Sequence, residues 1–299
     1  MSWRLYRWVW ELESPLHIGL VPAGSLNRTR LYIPARTIWG ALTAELARKE
    51  SPSQFPDYRN MGEKLKENMR FTYLFPAEKQ GDQWFAWLPE FNEGDGFIWR
   101  REDDNRKLLT HRLLRRKLLI GTASTAIDPL SDTAHEETLR DIELISPYWR
   151  CENNDFHKVA MVGYVFLRND DADMLRQVQR IFVGGDIRYG FGRIKLESFE
   201  EAHTVFNRTV ILSDEKPTIE SDVFLGHTKV CNVSIYDKLK IYGNLELIAG
   251  WDFQRQTTLH LEPCWMPGSK YRISNNESND NLKYWLYLLT DGLLEIGQR

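Results

Sequence analysis

Four glycines fall within nine residues, at Gly184, Gly185, Gly190 and Gly192, interleaved with Arg188, Tyr189, Phe191 and Arg193. Glycine reaches positive φ freely and carries no Cβ, so a run this dense turns sharply and lets another backbone approach closely. Arginine adds a planar cation suited to phosphate, and the rings add flat faces for bases. The preceding Asp170–Phe182 places Met174, Val178, Ile181 and Phe182 on one helical face behind an acidic start, which suits the helix dipole. The following Arg193–Phe199 alternates as a strand does. The expected local order is therefore helix, glycine-rich basic loop, strand. A dinucleotide fingerprint runs strand to helix as G-x-G-x-x-G, and a P-loop closes on Gly-Lys-Ser/Thr; this stretch has neither form. The plain alternative is a loop that merely connects.

With 299 residues the chain can hold one large domain or two modest ones. Lys and Arg number 39 against 42 Asp and Glu, a formal charge of -3, so a nucleic-acid site must be a local patch. Eleven tryptophans suit large interfaces or stacking platforms. Cys151, Cys231 and Cys264 form no C-x-x-C pair and read as reduced thiols of a cytoplasmic protein without a zinc site. The first residues are too densely charged for a signal peptide, and no apolar run is long enough for a membrane span. A soluble, cytoplasmic chain without cofactor, metal or membrane partner is expected.

Trp3–Leu12 alternates with aromatics on both sides, the pattern of a central strand. Ser14-Pro15 stops it. The loop that follows carries Arg28 and Arg30, and Ala35–Lys49 repeats apolar residues at helical spacing, with Arg36 or Thr37 near a start whose amides can face an anion. A short helix is expected around Met61–Met69. Phe71–Phe75 and Gln83–Leu88 read as a hairpin, and residues 90–106 as a polar loop. The densest basic patch, Leu109–Ile120, holds His111, Arg112, Arg115, Arg116 and Lys117, as an RNA surface or as a solvated face. Ile142–Ile145 and Val159–Leu167 read as strands, the second fit for a sheet centre.

This order is that of a ferredoxin-like (RRM-like) β-α-β-β-α-β domain with insertions, residues 1–203, in an α+β fold. Residues 204–299 read as a smaller α+β domain, possible as a second ferredoxin-like unit. Its strand candidates are Val205–Leu212, Lys229–Ser234, Leu245–Leu247 and Thr258–Leu261; Asn281–Leu289 reads as a helix, and Met266–Arg272 as a turn leading into a strand.

Three segments in this order resemble the CRISPR-associated RAMP superfamily. Ser14-Pro-Leu-His-Ile-Gly19 with Ile33-Pro-Ala-Arg-Thr-Ile-Trp-Gly-Ala-Leu42 is similar to its opening motif, Gly121–Asp128 to its central segment, and Gly184–Gly192 to its glycine-rich loop. The resemblance covers roughly residues 3–200, and Pro267-Gly-Ser-Lys-Tyr271 is similar to a motif of two-domain members. It implies ferredoxin-like domains that hold crRNA, most like the subunit that caps the 5′ tag in type III effector complexes. Other RAMP subunits and a large polymerase-like subunit are then the partners. The implied RNA contacts are Arg28, Arg30, Arg36, Arg112, Arg115, Arg116, Gly184, Gly185, Arg188, Tyr189, Gly190, Phe191, Gly192 and Arg193. A branched side chain at Gly190 or Gly192 is expected to hold RNA off while the domain still folds.

RAMP subunits that cut target RNA carry an aspartate between the first strand and first helix, whereas Leu20–Tyr32 contains no Asp or Glu. A hard cation needs such a carboxylate, so binding without cutting is expected. Processing endoribonucleases of the superfamily often use a histidine as general acid/base, for which His17 is a candidate by position; the plain alternative is a hydrogen-bonded structural histidine at a strand end. Three readings stand: a non-catalytic crRNA-binding subunit, a metal-independent endoribonuclease using His17, and a protein-interaction module without RNA contact.

Overall fold

The alternation over Trp3–Leu12 becomes strand β1 (Arg4–Leu12), in which Trp8, Val9 and Trp10 are each at most 1% exposed. In this computed structural model residues 2–52, 55–151, 156–168, 171–213, 215–229, 239–252, 257–273, 284–290 and 292–298 are described. After β1 come α1 (Ala35–Glu50), α2 (Tyr58–Asn68), β2 (Met69–Phe71), β3 (Phe75–Gln80), β4 (Gln83–Asn92), β5 (Gly96–Arg101) and β6 (Asp104–Thr110). Then follow α3 (His111–Leu118), β7 (Leu119–Ser124), β8 (Arg140–Ile145), β9 (Phe156–Leu167), α4 (Ala172–Arg176), β10 (Arg180–Phe182) and β11 (Arg193–Glu201).

A ten-stranded sheet runs β10-β11-β1-β9-β3-β4-β5-β6, with β2 and Tyr148–Arg150 also pairing on β9. All its pairings around β1 are antiparallel, Trp8 lying opposite Gly163 of β9 and Phe199 of β11. A ring as large as indole removes roughly 150–250 Å² from water, about 4–6 kcal/mol at 25 cal/mol per Å² as an upper bound. The Nε1 atoms of Trp8 and Trp10 have no hydrogen-bond partner, a cost of about 1–3 kcal/mol each. Area burial therefore wins at β1. The buried face of α1, with Ile38, Leu42 and Leu46, packs on β2, β10 and α2.

Several sequence expectations shift. Only Ala172–Arg176 of the expected 170–182 helix is helical, and Ile181 instead pairs with Ile194. Arg180 to Val183 alternates exposed and buried, so period two prevails there over period 3.6. The hairpin uses β3 and β4, while Met69–Phe71 joins β9. Residues 90–106 are mostly strand, because β6 is a sheet edge where polar side chains face solvent and Gly96 takes φ +71° at the turn. Leu109–Ile120 is mainly α3, capped by Thr110 Oγ1, which accepts from the Leu113 amide.

Beyond Glu201 the described residues form strands and loops. An eight-stranded sheet orders Thr204–Val205, Arg208–Ile211, Thr218–Ile219, Tyr284–Leu288, Leu294–Gln298, Thr228–Lys229, Thr257–Trp265 and Leu245–Asp252. The expected helix at Asn281–Leu289 is overturned: Tyr284–Leu288 is a strand between Thr218–Ile219 and Leu294–Gln298, and 281–283 lie outside the described residues. Its run of aromatics and leucines fits either period over so short a window, and cross-strand pairing decides. The 205–212 candidate is broken by Phe206 and Asn207, at φ +47° and +63°. Phe206 is buried against Tyr164, 4.8 Å between ring centres, and Phe75, which offsets the backbone strain of about 1–3 kcal/mol. Lys229 ends a strand, and 230–238 lie outside the described residues. The strand after the Met266 turn is Lys270–Ile273.

Gly163 sits where Tyr73 and Leu74 cross β9; a Cβ there would meet Leu74 Cγ at 2.8 Å and the Tyr73 carbonyl oxygen at 3.0 Å. Gly163→Val is expected to destabilise the chain by about 1–3 kcal/mol through overpacking, read as a lowered urea midpoint at unchanged slope.

Candidate nucleic-acid interface

The glycine-rich loop folds back on the segment after β1. The Gly192 amide donates to the Pro15 carbonyl at 2.7 Å, and the Gly185 amide to the His17 carbonyl at 2.9 Å. At Gly184, φ +87°, a Cβ would come 2.2 Å from the His17 carbonyl oxygen; at Gly192, φ +78°, it would come 2.0 Å from the Val183 carbonyl oxygen. At both glycines a side chain would strike protein backbone, so the expectation that the fold accommodates a branched side chain at Gly192 is corrected. Gly190, φ +86°, has open space around it and ends a single 3₁₀ turn, Ile187–Tyr189. At this tip Ile187, Arg188 and Tyr189 stand exposed, Tyr189 at 73%, whereas Phe191 is half-buried.

The expected cations separate into two groups. Arg30 pairs with Glu246, Arg115 with Glu143, and Arg193 with Glu13 at 2.9 Å. Glu13 also receives Arg180 at 3.0 Å, and the Arg180 hydrogen bond holds its carboxyl below the usual range against the opposing effect of burial. Arg28, Arg112, Arg116 and Arg188 have no side-chain partner among the described residues, and the last three are exposed. Arg36 lies half-buried in the first turn of α1.

His17 is 7% exposed, and its Nδ1 donates to the Glu143 carbonyl at 2.9 Å. Glu143 of β8 is a hub: its carboxylate also accepts from the Thr29 amide and binds Arg115 of α3. From the other end of β8, Arg140 pairs with Asp186 of the glycine loop at 2.9 Å. A continuous line of contacts thus joins the loop tip, β8 and the basic face of α3.

Behind the tip a cleft of about 350 Å³ is lined by Gly19, Gly184, Gly185, Arg30, Tyr73, His227 and the first turn of α1. Its floor is a buried relay. Tyr73 Oη donates to His227 Nδ1 at 2.8 Å, His227 Nε2 donates to Glu246 at 2.9 Å, and Arg30 binds the other carboxylate oxygen. This arrangement requires neutral His227. Burial pushes its pKa down despite the opposing Glu246, and pushes the Tyr73 hydroxyl up. For Glu246 burial acts upward, but the His227 hydrogen bond and Arg30 outweigh it and the net shift is downward. Tyr73, His227, Glu246, Glu143 and Glu13 were not legible as site residues, since Arg30 and Glu246 are 216 positions apart. Among the described residues no three His, Cys, Asp or Glu converge as metal ligands, and no helix is long and apolar enough to cross a membrane. Cys151 and Cys264 are not joined in a disulfide among the described residues.

No family model matches the chain, and no curated protein matches it in sequence. Solved structures do match. A chain of the Type III-B Cmr-beta complex bound to cognate target RNA and AMPPnP aligns with TM-score 0.57 and 16% identity, over 92% of this chain and 90% of its own length. A chain of Type III-B Cmr-beta bound to cognate target RNA aligns with TM-score 0.57 and 14% identity, over 98% and 99%. The chain shares its fold with these chains of the Type III-B Cmr-beta complex. At these identities the likeness is one of fold, and both alignments run through the residues after Glu201 as well as the large sheet.

Two outcomes follow from this geometry. Gly190→Ala is expected to cost about 1–2 kcal/mol, the left-handed penalty alone, while Gly192→Ala, facing a backbone oxygen, costs distinctly more; thermal melts of the two variants rank them. His227 has a folded-state pKa below its unfolded value of roughly 6.5. The unfolded chain therefore binds more protons, and the contribution of neutral His227 is present above pH ~6.5 and lost as pH falls below it. Urea midpoints between pH 7.5 and 5 should fall, and fall less in His227→Gln.

Proposed function

We propose that this chain is a non-catalytic crRNA-binding subunit of a type III CRISPR effector complex, holding RNA backbone with the glycine-rich loop and the adjoining basic surface. The observation that carries this reading is the exposed tip, where unpaired Arg188 and Tyr189 stand beside a cleft formed by Gly184, Gly185, Arg30 and the start of α1. The cation and ring of the tip suit a phosphate and its base, and the start of α1 offers amides in the cleft that two glycines of the same loop line. The order β11-β1-β9-β2, with α1 and α4 in the crossovers, is the order a ferredoxin-like domain has, and supports that reading of residues 1–203. On this reading the strands after Glu201 belong to a second unit, tied to residues 1–203 at the Arg30–Glu246–His227 relay and at contacts such as the Phe91 amide donating to the Gly268 carbonyl. Other RAMP subunits and a large polymerase-like subunit are the partners this reading implies.

His17 serves the loop rather than the chemistry. Its carbonyl receives Gly185, its ring is tied to Glu143, and it is nearly sealed from solvent.

The test is filter binding of labelled crRNA across a salt series. Arg188→Ala, Arg112→Ala and Arg116→Ala should each weaken binding similarly for unrelated RNA sequences and lower the salt slope by about one. An unchanged slope in all three would remove the RNA contact and favour a protein-interaction module. Precursor and target RNA, with and without Mg²⁺, should yield no defined products; cleavage lost in His17→Ala would overturn the non-catalytic role.

A further inference from the structure

A cavity of about 410 Å³ lies where β4, β5 and the start of β6 meet the turn Phe206–Asn207. Its wall is rich in charge, and the charges can be matched one by one. Glu90 receives Arg100 Nε at 2.9 Å, with Lys270 Nζ 3.8 Å away. Glu102 receives Arg7 at 2.9 Å and the Ala86 amide at 2.8 Å, and Asp103 receives Arg101 at 2.6 Å. Each carboxylate named in the wall thus has its own cation. Arg208 lines the same wall and forms no ion pair among the described residues. Burial pushes its pKa down and outweighs Asp222, Glu90 and Glu102, which attract it from beyond ion-pair distance.

The half-buried guanidinium is held with one nitrogen open. Its Nε donates to Ser221 Oγ at 2.8 Å and its Nη1 to the Phe206 carbonyl at 3.1 Å. Its Nη2 has no hydrogen-bond partner among the described residues and is not sealed from solvent. Ser221 Oγ is itself fixed, donating to the Val223 carbonyl at 2.6 Å and accepting from the Val223 amide at 3.1 Å. On the other side Phe206 and Asn207 hold left-handed backbone, and the Asn207 side chain donates to the Glu102 carbonyl at 2.9 Å. The turn is thereby clamped to the large sheet, so Arg208 is already oriented before a ligand arrives.

We propose that this cavity binds a small organic monocarboxylate, its carboxylate on Arg208 Nη2 and its apolar body against Leu88, Pro89 and Val223. A half-buried guanidinium makes a charge-assisted hydrogen bond, and the ligand supplies the carboxylate that no described residue brings to it. The wall favours one negative charge over two. Glu90, Glu102 and Asp103 repel a second charge, and their own cations are already engaged. A phosphate dianion is therefore disfavoured. The volume lies within the roughly 300–1,000 Å³ of small-molecule sites. The site does not depend on the crRNA reading.

The test uses the full chain at pH 8 and ligand-observed NMR titration. The probes are hexanoate, the neutral hexanamide, and methyl phosphate, a dianion at that pH. Hexanoate should bind saturably and at least tenfold more tightly than either of the others. Asn105 is exposed and lines the cavity, so Asn105→Glu should keep the wild-type melting temperature yet lose at least tenfold for hexanoate, because the new carboxylate repels it. The neutral Asn105→Gln should bind as the wild type does. Arg208→Met should lose the preference for acid over amide where it folds. Equal binding of acid and amide, methyl phosphate binding as tightly as hexanoate, no saturable binding of hexanoate, or full affinity in Asn105→Glu overturns the proposal.

Discussion

Everything in the first 200 residues hangs from the burial of β1 on both faces. A strand flanked by β9 and β11 and sealed by Trp8, Val9 and Trp10 has one register, because a slip by one residue would exchange its two faces. That register determines where β1 ends, at Leu12, and so where the Pro15–Gly19 segment leaves the sheet. The glycine loop enters β11 beside the same end, which brings the two segments within hydrogen-bond distance. Gly184 and Gly192 make the approach possible, since any side chain at either would strike a backbone oxygen.

Charge is arranged around this junction in two layers. Close to the sheet, Arg193 and Arg180 meet Glu13, Arg115 meets Glu143, and Arg30 meets Glu246, so these cations fasten elements far apart in the chain. Farther out, Arg188, Arg112 and Arg116 face solvent and form no ion pair among the described residues. In a chain of formal charge -3, Glu13, Glu143 and Glu246 are thus drawn into the inner layer, away from these three arginines. Exposed ion pairs contribute little to stability, and the pairs that matter here are those half-buried against β1 and β8.

The relay under the cleft shows the same economy of position. Arg30 and Tyr73 belong to the large sheet's surroundings, His227 and Glu246 to the strands beyond Glu201, and each is largely buried. Joining them through one carboxylate ties the second set of strands to the floor of the cleft. Whatever the cleft holds therefore meets both parts of the chain.

Local pattern alone determined β1, α1, α2, β9 and β11, because each has a long and unmixed period and strong punctuation such as Ser14-Pro15. It also marked the glycine loop and the cations Arg188, Arg112 and Arg116 as candidates, since glycine density and charge runs need no partner to be visible. Pattern failed where a short apolar run fits two periods. Ile181 and Phe182 went to a strand by pairing with β11, and Tyr284–Leu288 by pairing with two neighbours. Tertiary structure alone decided which glycines face protein and which face solvent, because that depends on where the His17 and Val183 carbonyls lie. It alone joined Arg30 to Glu246 and His227, since a contact across 216 residues leaves no mark on local spacing.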